Sequence, residues 1–390
     1  MSHLEQNPFN FSNKQHRCGK MSARFQIKYC TSLVMVENND YWVKPVPLDR
    51  VACLNITNTE IFSLASGKIK FKEVDICSYK HSSKSVSVWR GCVSNWLRQT
   101  KNRQAAEDKL HQLVLSRPKF AGLNMSDMHL MGVVNVTPDS FSDGGQFLDT
   151  EKAIKHAKIL VREGASIIDV GGESTRPGAS KINPLEEQKR VIPVIRELSK
   201  KDKLISVDTR NPEVMRKALS NGAKIINDIS GFRNNESIQV IIEAFKNKVN
   251  PYIVIMHMQG EPGTMQVSPS YNFTPIDIYT YLEERINFLI FRGIPKQYIA
   301  IDVGFGFGKT VSDNLSLIDW MPLFHGLGVP IIVGVSRKST IAKIDDNAPV
   351  DKRIGGSIAL TLKSIDAGVQ IVRSHDIQET RQAIKLWQAY

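Results

Sequence analysis

Eight short apolar runs in the last two-thirds of the chain each end on, or run into, a polar side chain. In order these are Asn135, Asp169, Asp208, Asn227, His257, Asp302, Lys338, and the pair Arg373 and His375. One such residue can be a helix cap, because Asn and Asp satisfy free N–H groups at a helix start. Eight in series make a shared site the better reading. The chemistry on offer is recognition of a polar, charged molecule. Asp208 and Asp302 can each accept two N–H donors in a fork, as carboxylates do from Arg. Asn227 offers a donor and an acceptor, and Lys338 can donate to a carbonyl. Met256 can lie on a ring face or pack in the core, and the two readings stand level. Arg373 and His375 alternate along one run, so as strand residues they face the same side. Arg can grip an anion by a fork and His by a single bond.

The elements that must carry these groups follow from hydrophobic period. The runs are His129–Val136, Ser166–Val170, Leu204–Val207, Lys224–Ile226, Tyr252–Met256, Tyr298–Val303, Pro330–Gly334 and Gln370–Arg373. Between them apolar residues recur at helical steps, as in Ala153, Ala157, Leu160, Val161 and Val191, Val194, Ile195, Leu198. Asn183-Pro184 and Asn211-Pro212 read as helix starts. Gly164, Gly222, Gly293 and Gly368 stand where helices need a left-handed residue to stop. Strand and helix in alternation imply right-handed crossovers and a parallel sheet. Eight such units predict an α/β fold, a closed (β/α)8 TIM barrel, whose site lies at the C-terminal strand ends. An open doubly wound sheet is the runner-up, but no GxGxxG follows the first strand.

The first 128 residues lack this rhythm. They hold nineteen Lys/Arg against ten Asp/Glu, most of the chain's net charge of +12. Their basic residues are dispersed and carry no nucleic-acid motif, so a solvated face is expected rather than a nucleic-acid surface. Residues 1–30 read as a disordered tail, although five Lys/Arg against Glu5 in the first 36 residues also suit an organellar presequence. Residues 31–127 read as a small basic accessory module with strands at Val43–Leu48 and Lys68–Val74 and a helix at Arg103–Leu115. Val43, Ile69, Phe71, Trp89 and Trp96 are expected to bury surface against the barrel floor. The barrel is assigned to 128–390, and a chain starting near Ser126 should keep its site. Cys18, Cys30, Cys53, Cys77 and Cys92 are odd in number with no CxxC, so reduced thiols and a cytoplasmic setting are expected. No apolar run approaches the roughly 20 residues of a bilayer span.

Longer motifs add a resemblance. MGVVNVTPDSFSDGG (131–145) and IIDVGGESTRPGA (167–179) resemble the two signature blocks of dihydropteroate synthases. SVDT (206–209), INDISG (226–231), VIMHMQG (254–260), GFGFGK (304–309), SRKS (336–339) and RSHD (373–376) follow in family order. The likeness covers about 260 residues, and the motifs sit after predicted strands as their use requires. Val303 departs from it, since the family usually has proline there, which bears on loop stiffness only.

The resemblance implies a TIM-barrel transferase of folate biosynthesis and a sulfonamide target. It joins p-aminobenzoate to 6-hydroxymethyl-7,8-dihydropterin diphosphate and releases diphosphate. Asp208, Asn227, Met256, Asp302 and Lys338 would bind the pterin. Asn135, Arg176, Arg373 and His375 would hold the diphosphate, with Lys338, Arg373 and His375 counted as catalytic. Phe141, Thr175, Arg176, Pro177, Phe307 and Ser339 would form the p-aminobenzoate pocket, Ser339 because it opens a helix whose free N–H groups suit a carboxylate. Asn135 and Asp143 would bind Mg2+, an ion suited to oxygen ligands and phosphate, although Asp143 reads equally as a turn acceptor. Loops 137–147 and 172–183 exceed the usual strand-to-helix length, which favours function. Two alternatives remain: a pterin-dependent methyltransferase on the same barrel, and an inactive barrel serving as a binding partner. The full diphosphate and p-aminobenzoate blocks argue against the first, and intact Asn135, Arg373 and His375 against the second. A folate-pathway enzyme fused at the N-terminus would need metal-binding acids or phosphate-binding arginines, and none cluster there. Apolar residues at Ile358, Leu360, Leu362, Ile365, Ile384, Leu386 and Trp387 exceed one helical face and, with the resemblance, predict a two-fold dimer.

Overall fold

The computed structural model describes residues 26–33, 36, 40–48, 60–80, 85–137, 146–174, 182–201 and 203–389. Its larger part is a closed barrel of eight parallel strands, β6 (His129–Asn135), β7 (Ile167–Gly171), β8 (Leu204–Asp208), β9 (Ile225–Asp228), β10 (Tyr252–Met256), β11 (Ile299–Asp302), β12 (Ile331–Val333) and β13 (Ile371–Ser374). Each pairs with the next, and β13 pairs back onto β6. All eight predicted runs form strands, with ends moved by two residues at most. The expected helix stops hold as well: Gly164, Gly222, Gly293 and Gly368 all have φ between 86° and 115°, which a Cβ would disfavour.

Strand alternation explains why a site exists here. Met131, Ile167, Ile225, Val254, Ala300, Ile332 and Ile371 form one inward, fully buried layer. Two residues further along the same strands, and therefore on the same inner face, come Asp169, Asn227, Met256, Asp302 and Arg373. An apolar plug thus lies beneath a layer that is largely polar. Phe120 and Met125 complete the plug from below, with Phe120 edge-on to Tyr252 at 5.0 Å. This moves the boundary predicted at 128. Arg117 belongs with the barrel too, since its guanidinium donates to the backbone oxygen of His325 at 2.7 Å while buried.

The N-terminal module is a five-stranded sheet in the order β1-β5-β4-β2, with β3 also on β4. Its strands are β1 (Gln26–Tyr29), β2 (Tyr41–Pro47), β3 (Phe62–Ser63), β4 (Lys70–Lys80) and β5 (Ser85–Cys92). Helices α1 (Val93–Gln99) and α2 (Arg103–Val114) follow. The two predicted strands and the helix correspond to β2, β4 and α2. The expected tail, by contrast, ends in strand at Gln26–Tyr29, which gains a parallel ladder on β5 from Gln26↔Ser85 to Tyr29↔Val88. The rest of the tail lies outside the described residues. Cys30, Cys77 and Cys92 are free thiols.

The module's apolar residues expected against the barrel floor bury against one another instead. Val43, Phe71, Trp89 and Trp96, with Ile69 beside them, form the module's own core together with Ile76, Leu110 and Leu113. The opposite sheet face meets the barrel. Cys77 pairs with Val88, Tyr79 with Val86 and Trp42 with Cys77, so these side chains share one face, and they join the barrel's main apolar cluster. Lys44, on that same face, lies 4.8 Å over the Trp320 ring and pairs with buried Asp75 at 3.2 Å. A sheet with two apolar faces needs a partner on each.

The remaining helices pack outside the barrel: α3 (Gln146–Glu163), α4 (Pro184–Ser199), α5 (Pro212–Ser220), α6 (Asn235–Lys246), α7 (Thr274–Phe291), α8 (Val311–Asp319), α9 (Ser339–Ile344), α10 (Ile354–Asp366) and α11 (Ile377–Ala389). On the last two, Ile365 and Ile384 are buried in the main cluster, and Leu360, Leu362 and Trp387 pack against it. Leu386 is the residue left open, 69% exposed. Among the described residues no helix is long and apolar enough to cross a membrane.

Candidate active site

Arg373 is the centre of the polar layer. It donates from Nε to Asp169 at 2.7 Å and from a terminal nitrogen to Asp208 at 2.9 Å. Asn227 donates to the same Asp169 oxygen at 3.3 Å. Strands β7, β8, β9 and β13 are thereby tied together across the barrel. Asp169, fully buried, joins this network, a place the sequence alone did not assign to it. Its other carboxylate oxygen has no hydrogen-bond partner.

Two carboxylates share this one guanidinium, and the titration behaviour follows. Burial pushes Asp208 up to about 7; Arg373 opposes the shift, and Asp169 and Glu187 add repulsion. Burial opposes the charge on Arg373, but Asp169 and Asp208 outweigh it and hold the guanidinium protonated. Burial, with Arg373 nearby, lowers Lys338 to about 8, against the pull of Asp302 and Asp208. Burial also raises Asp302, which the Gly304 N–H and Lys338 resist.

The turn after β11 shapes the other wall. Asp302 Oδ1 accepts the Gly304 N–H at 2.7 Å. Asn314 accepts the Gly306 N–H at 2.7 Å, Gln266 donates to the Gly306 oxygen at 2.9 Å, and Tyr271 donates to the Gly308 oxygen at 2.6 Å. Lys309 is 2% exposed, and its ammonium reaches the oxygens of Gly304 and Phe307 at 2.8 and 2.9 Å. It also meets His257 Nδ1 at 3.2 Å. Burial drives Lys309 down to about 7. The GFGFGK motif thus ends in a lysine spent on holding its own turn. That turn sets Phe307 below Lys338, whose Nζ is 4.0 Å from the ring centre. Met256, Met258, Met265, Ile229 and Phe307 form a separate small apolar cluster here, so Met256 is not part of the main core.

Gly304 has φ of +70°, and a Cβ there would stand 1.9 Å from the His257 carbonyl oxygen. Gly304→Ala should therefore cost about 2–4 kcal/mol through backbone strain and displacement of β10's end. Chemical denaturation measures this; an unchanged midpoint and slope would show the turn to be pliable.

Asn135 stands half-buried at the end of β6, with its Oδ1 3.6 Å from where a Gly171 Cβ would be. His375 stands half-buried beside Ser336, and desolvation of its ring together with Arg373 and Arg337 lowers it to about 3, so the ring is neutral. Ser339 is the first residue of α9, as expected. Phe141, Asp143, Thr175, Arg176 and Pro177 lie outside the described residues. On either side of 175–181, Glu173 accepts from Arg210 at 3.0 and 3.2 Å and from the Ile182 N–H at 3.3 Å. Arg210 also pairs with Glu261 at 2.6 Å, which links the ends of β7, β8 and β10.

Comparison with known proteins agrees with this architecture. A model of the family described as pterin binding enzymes matches residues 131–375. Dihydropteroate synthase of Escherichia coli (strain K12) is 41% identical over 268 residues, which are 68% of this chain and 93% of that protein. The synthase of Bacillus subtilis (strain 168) is 37% identical over 286 residues, 73% of this chain and 96% of that protein. Among solved structures, Xanthomonas albilineans dihydropteroate synthase with 4-aminobenzoic acid superposes with a TM-score of 0.65 at 39% identity, covering 70% of this chain and 98% of that one. The same enzyme in complex with 7,8-dihydropteroate gives a TM-score of 0.61 at 36% identity, over 68% and 95% of the two chains.

Proposed function

The chain belongs to the family of pterin-binding enzymes and is a dihydropteroate synthase, and on that premise we propose how its own residues divide the two substrates. The reaction joins p-aminobenzoate to 6-hydroxymethyl-7,8-dihydropterin diphosphate and releases diphosphate. The observation that carries the assignment is the layer of Asn227, Met256, Asp302 and Arg373 at the C-terminal strand ends, with Asp208 tied to it through Arg373. A pterin edge is a row of N–H donors beside a carbonyl. Asp302 keeps Oδ2 for those donors, since its Oδ1 accepts from Gly304, and Asp208 and Asn227 extend the row. Lys338 donates to the carbonyl, and Met256 with its neighbouring methionines covers the ring face.

Arg373 spends two of its nitrogens on Asp169 and Asp208 and has N–H capacity left for the diphosphate. His375 adds one donor. The C–O bond breaks with its electron pair leaving on the diphosphate oxygen, and the amine lone pair forms the new C–N bond. The aniline nitrogen is neutral near pH 7, so no base is required to activate it, and stabilising the departing anion carries the rate. Asn135, with Asp143, would hold Mg2+, and one amide oxygen suits an ion that keeps water and phosphate oxygens as its other ligands. When bound, that ion neutralises charge on the leaving group. Phe307 and Ser339, with Phe141, Thr175, Arg176 and Pro177, would take the p-aminobenzoate, and Arg176 would also reach the diphosphate. We place the enzyme in the cytoplasm as a two-fold dimer through α10 and α11, where Leu386 is open.

Turnover of p-aminobenzoate with the dihydropterin diphosphate, read as dihydropteroate formed, tests the reaction; purified, folded protein without it would refute the reading. Asp302→Asn should weaken pterin binding by about 2–4 kcal/mol, the worth of a buried charge-assisted pair. Calorimetry that finds pterin affinity unchanged would remove Asp302 from the role.

A further inference from the structure

Ser336 is nearly buried, 6% exposed, in the turn between β12 and α9. Its oxygen meets two groups of one residue: the His375 backbone N–H at 3.2 Å and His375 Nδ1 at 3.1 Å. The neighbouring pair repeats the link, because Arg337 holds Asp376 in a fork from Nε at 3.0 Å and from a terminal nitrogen. These two rungs join the turns that follow β12 and β13. The Ser336 turn is itself fixed from α10. Ser357 accepts the Arg337 N–H at 2.8 Å, and Arg353 donates to the Arg337 oxygen at 2.9 Å. Arg337 sits at φ +58°, a conformation these bonds over-determine.

Proton counting then decides the histidine tautomer. A serine hydroxyl has one proton and two lone pairs. The backbone N–H of His375 can only donate, so it uses a lone pair of Ser336 Oγ. If Nδ1 also carried a proton, Oγ would accept twice, and its own proton would have no acceptor among the described residues. If Nδ1 is bare, the Ser336 proton points at it and every group is satisfied. The imidazole then carries its proton on Nε2, at the opposite ring edge, which makes no hydrogen bond among the described residues. The charged groups that act on His375 are Arg373, Arg337, Lys338 and Asp376. Three are cations, so a second proton is disfavoured and the tautomer alone sets what the ring can donate.

We propose that Ser336 is a positioning residue that locks His375 as the Nε2–H tautomer, so that the ring presents one N–H donor to the departing diphosphate. The proposal rests on the reading that His375 holds that anion. In the opposite tautomer Nε2 would carry a lone pair, and it would repel a diphosphate oxygen.

The tautomer can be read directly on the full-length protein. Nitrogen-15 histidine NMR, with the His375 signal identified by its loss in His375→Asn, should show Nε2–H in the unmodified enzyme. Ser336→Ala should shift the signal toward Nδ1–H or a mixture. It should raise KM for the pterin diphosphate, and the inhibition constant of inorganic diphosphate, about tenfold, as for one lost hydrogen bond, while KM for p-aminobenzoate stays within twofold. Ser336→Thr, which keeps the hydroxyl, should restore both readouts. An Nδ1–H signal in the unmodified enzyme overturns the proposal even if the alanine variant does not fold, and so does an unshifted signal in that variant. A shifted tautomer with diphosphate inhibition unchanged in both Ser336→Ala and His375→Asn would leave the lock in place but refute the diphosphate contact, and with it the proposed purpose.

Discussion

Arg373→Met is expected to lower kcat/KM by about a thousandfold, the usual scale for one preorganised electrostatic contact to a developing anion, and to cost about 3–5 kcal/mol of folding stability. The two losses have different origins. Activity falls because the leaving diphosphate loses its fork. Stability falls because Asp169, fully buried, and Asp208 lose their shared cation. The stability loss must therefore depend on pH. Asp208 stands near 7 even with Arg373 beside it, against an ordinary value of 3.8, and without the guanidinium it should rise further. A carboxyl raised in the folded state binds protons that the unfolded chain has released. Its contribution to stability is present below about 4 and is lost as pH climbs through the folded value. Denaturation at pH 5 and pH 8 should show the smaller deficit at pH 5. Adding Asp169→Asn removes one of the stranded charges, so it should recover part of the stability at pH 8 and none of the activity. A single variant that folds as well as the parent at pH 8 would show that the pair is not structural. Recovered turnover in the double variant would show that Arg373 acts only through its partners.

Much of this arrangement is legible in the sequence because it depends on period alone. Ile167 and Asp169, Ile225 and Asn227, Ala300 and Asp302, Ile371 and Arg373 are pairs two residues apart, and a strand must turn both members of each pair the same way. What stays hidden depends on partners distant in sequence. Asp169 was visible as a polar strand end, but nothing local says that its partner is Arg373, 204 residues away. Ser336 lies within the SRKS motif, yet its link to His375 needs β12 beside β13 in register. Lys309 closes a glycine-rich motif, and only the curl of the turn shows it facing three carbonyls and His257. In the module, β5 alternates serine with valine before Trp89, so the Val86 and Val88 face reads as apolar while the Ser85 and Ser87 face, which carries Trp89, does not. Its Trp89 and Val88 serve two different cores on opposite faces.

A chain beginning at Ser126 should be severely destabilised, whereas one beginning at Ser116 should fold and keep both Michaelis constants. The difference is the stretch between them. Phe120 is fully buried under the inward layer of β6 to β13 and contacts Tyr252. Deleting such a ring alone costs about 3–5 kcal/mol. Met125 and Arg117 are buried in the same stretch, so a start at Ser126 opens the barrel floor from below. A start at Ser116 keeps the plug and removes only the sheet and its helices. That still uncovers Trp320, which Lys44 overlies, and the cluster residues packed on Val86, Val88 and Tyr79. Each large apolar side chain returned to water costs about 1.5–3 kcal/mol, so the melting temperature should fall. The catalytic groups are at the other end of the strands from this floor and should not respond. If the Ser126 chain proves as stable as the Ser116 chain, Phe120 is not a plug. If the folded Ser116 chain shows either Michaelis constant raised tenfold or more, about 1.4 kcal/mol of lost binding, the module reaches the active site and the division between floor and mouth fails.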